Sequence, residues 1–284
     1  MQIKGGIKMN ELITMDQLAK KMKNEDLIII DCRYELNNSE AGREMYQVDH
    51  IPNSIFFDLG KDLSGPKLEH GGRHPLPDMN NFIKKLGEVG IDKTKHVVAY
   101  DDQKGAFAAR LWWMLKYLGH DNVSVLNVNY STWKEKGYPI TNETPVAKQT
   151  HFIPKIRSHM VVDVNQVKQA VEDDKIKIID SRAPERYRGE IEPLDKKAGH
   201  IPSAENWFWE DNVESNGNWK SKQELKERFS SLENEDLIIY CGSGVTANVN
   251  ILALANLGKE ASLYLGGWSD WSSYEDNQVV TKNN

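Results

Sequence analysis

Much of this sequence occurs twice, and this repetition constrains the fold more than any other feature. "LIIIDCRYE" at 27–35 is matched by "IKIIDSRAPE" at 176–185, and "DHIPNS" at 49–54 is matched by "GHIPSA" at 199–204. Both pairs share an offset of about 150 residues, as tandem copies of one unit require. The sequence therefore predicts two domains of the same fold.

A longer pair of segments extends the match and shows where the copies differ. Residues 96–119 parallel residues 236–258, and in this alignment Asp101 falls opposite Cys241. The loop that follows is one residue longer in the first copy. Only the second copy therefore has a thiol at this place.

The alignment also sets the expected domain boundaries. We predict a first domain at 10–140, which lacks the loop thiol and is catalytically inactive, and a second, catalytic domain at 161–284. Residues 141–160 have no clear period and hold two prolines, so they are interpreted as the linker.

The apolar pattern within each copy predicts the fold class. Short β-rich runs alternate with helical patterns, such as the one at 106–118. Continuous apolar strands followed by helices are typical of parallel sheets that are buried on both faces. We predict an α/β fold with two domains, each a mainly parallel sheet flanked by helices. The predicted strands lie at 27–30, 97–100, 123–126, 176–179, 237–240 and 261–265.

Composition excludes several classes of function. The net charge is −6 and no basic block is present, so nucleic acid is not expected as a partner. No apolar run approaches the roughly 18 residues that span a bilayer, so no membrane association is expected. The first residues lack the apolar stretch of a secretory signal, which predicts a cytoplasmic protein with free thiols.

Cys241 lies at the predicted end of a buried strand, where parallel sheets bind their ligands. Gly242 and Gly244 can adopt positive φ and turn backbone N–H groups toward the sulfur. A helix expected to begin near Val245 adds the positive end of its dipole. A cysteine in such a cradle can act as an ionised nucleophile, whereas Cys32, which alternates with serine in the other copy, is interpreted as a buried structural thiol.

These motifs resemble the two-domain rhodanese sulfurtransferases, and the resemblance covers nearly the whole chain. The matching motifs are "CGSGVT" at 241–246, "DSR" at 180–182, "ERYRG" at 185–189, "GHIP" at 199–202, "GGWSDW" at 266–271 and "HPLP" at 74–77. The resemblance implies that the second domain is catalytic and that Cys241 takes up sulfane sulfur as a persulfide, then transfers it to cyanide or a thiol. It implies a small-molecule sulfur donor, no cofactor and no metal.

The resemblance also assigns candidate site residues. The active-site loop is expected to comprise Gly242, Ser243, Gly244, Val245 and Thr246. Arg186 matches the arginine that binds the donor's anionic end, since a guanidinium suits a carboxylate or sulfonate. Three further residues are candidates whose interpretation stays open: Arg182, which can instead tie strand to loop as Arg33 does in the first copy, Arg188, and His74, which can reach Ser243 across the cleft or simply pack.

The choice of donor depends on the charge of the loop. Family members that act on thiosulfate usually carry basic side chains where this chain has Gly242 and Ser243, so the sequence favours 3-mercaptopyruvate. Two departures oppose this: Leu194 stands where many such enzymes have a second arginine, and Gly60 stands where an aspartate is proposed to orient the "HPLP" histidine.

Two other classes of protein are alternatives to a sulfurtransferase. A Cys-loop phosphatase needs a loop arginine for its oxyanion, and here no arginine follows Cys241 before Lys259. A sulfur-carrier or docking module, which would serve a partner protein, remains an alternative. The sequence therefore predicts a sulfurtransferase that acts on 3-mercaptopyruvate or thiosulfate.

Overall fold

The computed structural model describes residues 10–173 and 175–282. Two units follow one another along the chain. The first contains β1 (Leu12–Ile13), α1 (Met15–Lys21), β2 (Leu27–Asp31), α2 (Ala41–Val48), β3 (Ser54–Phe56), α3 (Met79–Glu88), β4 (His96–Tyr100), α4 (Ala106–Tyr117), β5 (Val123–Leu126) and α5 (Tyr130–Glu135). The second contains β6 (Val161–Val162), α6 (Val164–Val171), β7 (Ile176–Asp180), α7 (Pro184–Tyr187), β8 (Glu205–Asn206), α8 (Lys222–Arg228), β9 (Asp236–Tyr240), α9 (Ala247–Leu257), β10 (Ser262–Tyr264) and α10 (Gly267–Trp271).

Each unit forms one five-stranded sheet, and the two sheets have the same topology. The strand order is β1-β5-β4-β2-β3 in the first and β6-β10-β9-β7-β8 in the second. Every strand pair is parallel. The predicted fold class is therefore confirmed, and β4 and β9 occupy equivalent central positions.

The strands form where the sequence has continuous apolar runs, because both faces of each sheet are covered by helices. All five residues of β4 are buried, as are the last four of β9. The predicted helix at 106–118 is observed as α4. The helix expected near Val245 begins at Ala247, because Val245 and Thr246 still belong to the loop after β9.

Helices α4 and α9 pack against each other and join the two units. Residues Ala106–Leu115 of α4 are all buried, and so are Ala247–Leu254 of α9. Such helices are mostly apolar on every side, because one side covers their own sheet and the other side meets the partner helix. One hydrophobic cluster therefore runs through both domains.

The predicted linker lies along the first domain. Thr141 pairs with His50 in an isolated bridge, and the N–H of Lys155 donates to the carbonyl of Leu118 at 2.8 Å. The second domain repeats the bridge between His200 and Val280. The boundaries of the linker stay a prediction, although its chain is held by backbone hydrogen bonds.

Each domain sends a segment across to the loop of the other. Residues 65–77 reach the second domain, where the N–H of Gly71 donates to Asp270 at 2.7 Å. In the opposite direction, the ring of Trp219 lies against Gly105, and the backbone N–H of Trp219 donates to the carbonyl of Asn127 at 3.0 Å. Within the described ranges, no helix has the length and apolarity that crossing a bilayer requires.

Candidate active site

Cys241 follows the last residue of β9, and its side chain is 1 % exposed. The sulfur therefore lies at the carboxyl edge of the central strand, where the loop 242–246 begins and α9 points its N-terminus. Gly242, Ser243, Gly244 and Val245 are also buried. The loop 242–246 therefore lies beside the thiol, and its role as the active-site loop stays a prediction.

The carbonyl groups of the loop are held from outside. The N–H of Trp268 donates to the carbonyl of Cys241 at 2.8 Å, and that of Ser269 donates to the carbonyl of Gly242 at 2.8 Å. The side-chain amide of Asn248 donates to the carbonyl of Gly244 at 2.9 Å. These contacts fix the peptide planes and leave the opposite, N–H side of the loop for an anion.

The equivalent loop of the first domain shows what such a cradle binds. The carboxylate of Asp101 accepts backbone N–H groups at 2.8 to 2.9 Å, and the donors are Gln103, Gly105, Phe107 and Ala108. Three of these donors align with Gly244, Thr246 and Ala247 of the second domain. A carboxylate therefore fills one cradle, whereas Cys241 brings a sulfur to the other.

Gly244 is required by the geometry of the loop. Its φ is +72°, and a Cβ atom there would collide with the carbonyl oxygen of Leu265. A side chain at this position would combine an unfavourable backbone conformation with a steric clash against main-chain atoms. This position therefore needs glycine for two separate reasons.

Two guanidinium groups lie over Gly242, one from each domain. A Cβ atom built on Gly242 would be 2.9 Å from Nη2 of Arg73 and 3.5 Å from Nη1 of Arg186. Asp195 pairs with both arginines, and Glu192 binds Arg186 at 2.7 Å. The mouth of the site therefore offers two cations that are held by carboxylates.

His74 contacts the active-site loop across the domain interface. Its Nδ1 lies 2.7 Å from Oγ of Ser243, which is itself buried. Burial lowers the pKa of His74 to about 4, and the nearby Arg110 and Arg73 add to this shift. The imidazole is therefore neutral at pH 7, so the pair can exchange a hydrogen bond without carrying charge.

Comparison with known proteins identifies the family. The rhodanese-like domain matches residues 14–136 and again residues 163–274. The chain belongs to the rhodanese family. The two matches cover both parallel sheets, so the duplication seen in the sequence is a tandem pair of rhodanese domains.

Similar rhodanese proteins cover almost the full length of the chain. A probable 3-mercaptopyruvate sulfurtransferase of Pseudomonas aeruginosa is 38% identical over 95% of this chain and 98% of its own. A putative thiosulfate sulfurtransferase of Mycobacterium tuberculosis is 32% identical over 96% of each. Among solved structures, the 3-mercaptopyruvate sulfurtransferase from Leishmania major has a TM-score of 0.82 at 28% identity, covering 93% of this chain and 74% of its own. This rhodanese is therefore an enzyme, a sulfurtransferase.

The three candidate arginines of this rhodanese have different surroundings. Arg186 reaches the loop, as described. Arg182 is buried, pairs with Asp180 at 2.6 Å and donates to the carbonyl of Gly199 at 2.6 Å, the same tie between strand and loop that Arg33 makes with Asp31. Arg188 is 40% exposed and pairs with Glu190. The structure brings Arg186 to the loop, and substrate roles for the other two stay predictions.

The acids that flank Gly60 have local partners. Asp58 accepts the N–H groups of Gly60 and Lys61, and Asp62 pairs with Lys85. Neither carboxylate hydrogen-bonds His74. Neither Asp58 nor Asp62 therefore takes over the orienting role of the aspartate that Gly60 replaces.

Sequence reasoning missed three residues of the site: Arg73, Asp195 and Arg110. Arg73 precedes the "HPLP" motif directly, so its nearness to His74 was the available signal. Asp195 follows Leu194, which stands where many related enzymes have a second arginine. Nothing in the local pattern marks Arg110, which lies in an apolar helix.

Cys32 also follows a strand, but it lacks the glycine loop and the helix start that come after Cys241. Its side chain is 1 % exposed, and burial raises its pKa well above the usual range, with further increases from Asp101, Asp31 and Asp62. A thiol that resists ionisation is a poor nucleophile. Across residues 10–173 and 175–282, no group of three or more His, Cys, Asp or Glu side chains could hold a metal ion.

Proposed function

We propose that this rhodanese uses 3-mercaptopyruvate as its sulfur donor, with Cys241 as the residue that carries the sulfur. The observation that carries the proposal is the hydrogen bond between His74 and Ser243 in a loop without charged side chains. A donor that leaves as an enolate needs a hydrogen-bond donor and a proton, and a hydroxyl beside a neutral imidazole supplies both.

Arg73 and Arg186 would bind the carboxylate of the donor. Both guanidinium groups lie over Gly242, next to the cysteine, and a carboxylate can accept paired N–H donors from them. Leu194 leaves the second domain without the second arginine that many such enzymes have. Arg73 of the first domain supplies a second guanidinium group instead, which supports the proposal. In the free enzyme, Asp195 holds the position that the donor carboxylate would take between them.

The charge at the mouth favours a singly charged carboxylate over a dianion. The two arginines are balanced by Asp195 and Glu192, which are both buried at 3 to 4% exposure. Charges that are partly buried are weakly screened by salt, so the two carboxylates cancel most of the positive field of the two arginines. The site then has little excess attraction for a second negative charge on the donor.

The sulfur transfer follows from these positions. The Cys241 thiolate attacks the sulfur of the donor, and an S–S bond forms as the C–S bond breaks. The electron pair of that bond moves onto carbon and gives the enolate of pyruvate, which takes up, by way of Ser243, the proton that the donor's thiol loses. The enzyme is left with a persulfide, whose charge the loop N–H groups stabilise.

An acceptor then completes the cycle. Cyanide or a thiolate attacks the outer sulfur, the S–S bond breaks, and its electron pair returns to Cys241 as thiolate. Each half of the cycle transfers one sulfur atom, and neither half needs an external oxidant. The protein therefore works by a ping-pong scheme with one stable intermediate.

Thiosulfate is the second candidate donor. Its support is that two guanidinium groups can also bind a sulfonate, and that relatives of this chain include a putative thiosulfate sulfurtransferase. The relative at 38% identity and the uncharged loop favour 3-mercaptopyruvate.

The test is to measure kcat/KM for both donors with one acceptor, in wild type and in Ser243→Ala. We expect a higher value for 3-mercaptopyruvate in wild type, and a loss of ten-fold or more with Ser243→Ala for that donor alone, consistent with general acid catalysis. Equal or better use of thiosulfate by wild type would reassign the donor.

A carrier that serves a partner protein would behave differently. It would accept sulfur, and its mass would rise by one sulfur atom, yet small thiols and cyanide would not discharge it. We propose turnover with small acceptors, in the cytoplasm, without nucleic acid as a partner.

A further inference from the structure

Arg110 of helix α4 is a buried cation without an acidic partner. Its side chain is fully buried, at 0 % exposure. Nη1 donates to the carbonyl of Gly244 in the active-site loop at 3.0 Å, and Nη2 donates to the carbonyls of Leu63 and His74 at 3.3 and 3.2 Å. Its Nε has no hydrogen-bond partner. Among the described residues, no carboxylate forms an ion pair with it.

The other deeply buried arginines show how unusual this is. Arg33 and Arg182 each pair with an aspartate two residues earlier, at 2.7 and 2.6 Å. A buried charge without a counter-charge costs several kcal/mol, because neutral carbonyls replace only part of its hydration. The fold therefore retains a cation at Arg110 whose counter-charge must come from elsewhere.

The group that can supply this charge is the sulfur of Cys241. Arg110 binds the loop that surrounds the sulfur, and the Cys241 thiolate acts electrostatically on it. Burial lowers the pKa of Arg110 to about 10, and the charge of Cys241 opposes that shift. The guanidinium thus stays charged at neutral pH and lies within range of the site at which the thiolate and the persulfide form.

We propose that Arg110 is the counter-ion of the anionic sulfur at Cys241, supplied by the domain that has Asp101 in place of the loop thiol. This positioning residue acts on both anionic states of the catalytic cycle, whereas Arg73 and Arg186 lie at the donor end. It gives the first rhodanese domain an electrostatic part in catalysis. The proposal rests on Cys241 being the reactive thiol, and it is independent of which donor the enzyme uses.

A purely structural role predicts something else. If Arg110 only clamps the carbonyls of Gly244, Leu63 and His74, its loss would destabilise the protein equally whatever stands at position 241. A counter-ion instead makes the effect depend on the charge at position 241. The experiment therefore compares two charge states in two backgrounds.

The first measurement is a thermal cycle. Cys241→Asp and Cys241→Asn are each made with Arg110 present and with Arg110→Met, and four melting temperatures are recorded at pH 7. The loss of carbonyl contacts is common to both Arg110→Met proteins and cancels. We expect the melting temperature of Cys241→Asp minus that of Cys241→Asn to be lower by about 3 °C or more in the Arg110→Met background. An unchanged difference would overturn the proposal.

The second measurement reports on the native thiol. The rate of Cys241 alkylation by iodoacetamide is followed against pH in Cys32→Ser proteins with Arg110, Arg110→Lys and Arg110→Met. We expect the pH of half-maximal alkylation rate to be higher by about one unit in Arg110→Met than in the protein with Arg110. Arg110→Lys should reverse most of this change, because it restores the positive charge. Three coincident midpoints would contradict the counter-ion role, while leaving the donor assignment untouched. If Arg110→Met does not fold, Arg110→Gln, which keeps an amide donor for the carbonyls, takes its place.

Discussion

Asp101 and Cys241 follow the equivalent central strands of the two sheets, and each side chain meets the loop of its own domain. The carboxylate of Asp101 accepts four backbone N–H groups, whereas Cys241 has only a small thiol in the same place. One cradle is permanently occupied by its own anion. The other can receive an anion that forms at the sulfur, and we predict that this difference makes the first domain catalytically inactive.

Cys241 is predicted to be the sole carrier of sulfur. Cys241→Ser should abolish turnover with either donor, whereas Cys32→Ser should retain most of it because the buried Cys32 thiol resists ionisation. The measurement is the mass of each protein after incubation with donor, which should rise by one sulfur atom in wild type and in Cys32→Ser. A persulfide on the Cys241→Ser protein would refute the assignment.

Arg186 and Arg73 are predicted to bind the donor. Replacing either by alanine should cost roughly 1.5 to 3 kcal/mol of transition-state stabilisation, which is about a 10- to 100-fold loss in kcat/KM, mainly through KM. Arg188→Ala is the matched control, because Arg188 is exposed and paired with Glu190. Equal effects in all three variants would argue against a donor site at these arginines.

Gly244 is predicted to tolerate no side chain. Gly244→Ala should disrupt the loop and reduce activity strongly, because its Cβ would collide with the carbonyl of Leu265. Gly137→Ala is the control, since Gly137 has a similar φ of +75° but no atom within 4 Å of its Cβ position. Comparing the activities of the two variants separates the steric effect from backbone strain, and similar losses would mean that the contact is unimportant.

Asp195 is predicted to set the preference between donors. A basic side chain at Gly242, which looks from the sequence like the natural route to thiosulfate activity, would be placed against the guanidinium groups of Arg73 and Arg186. Asp195→Asn instead leaves one positive charge in excess and frees Arg73, while Arg186 keeps its ion pair with Glu192. We expect kcat/KM for thiosulfate to rise several-fold relative to 3-mercaptopyruvate. An unchanged ratio would show that charge at the mouth does not select the donor.

His74 is predicted to make stability fall in mild acid. Its pKa is about 4 in the folded protein against roughly 6.5 when unfolded. Between these two pH values the unfolded chain binds more protons at His74 than the folded protein does. The free energy of unfolding is therefore unaffected by His74 above pH 6.5 and falls as the pH drops toward 4. His74→Gln should reduce the slope of unfolding free energy against pH in this window.

His96 provides the internal comparison for that experiment. Burial also lowers its pKa to about 4, so it contributes a similar slope without any part in the site. His96→Gln should flatten the same window and leave kcat unchanged, whereas His74→Gln should lower kcat as well. A pH slope that His74→Gln leaves untouched would mean that the imidazole titrates normally.

The sequence by itself determined the duplication, the parallel sheets and the position of Cys241. These are encoded locally: apolar runs define the buried strands, and a glycine loop between strand and helix defines the cradle. The prediction that the first domain is inactive also comes from the sequence, because Asp101 aligns with the thiol. Helix α9 began two residues later than expected, since the loop keeps Val245 and Thr246.

The tertiary structure alone decided which side chains complete the site. His74 and Ser243 are 169 residues apart and meet only because α4 and α9 bury their apolar surfaces against each other. The same docking brings Arg73 over Gly242 and Arg110 under the loop. The sequence pattern within each copy does not predict these contacts. The free energy of docking comes from burying apolar surface between the domains, and the polar residues of the site are only brought together by it.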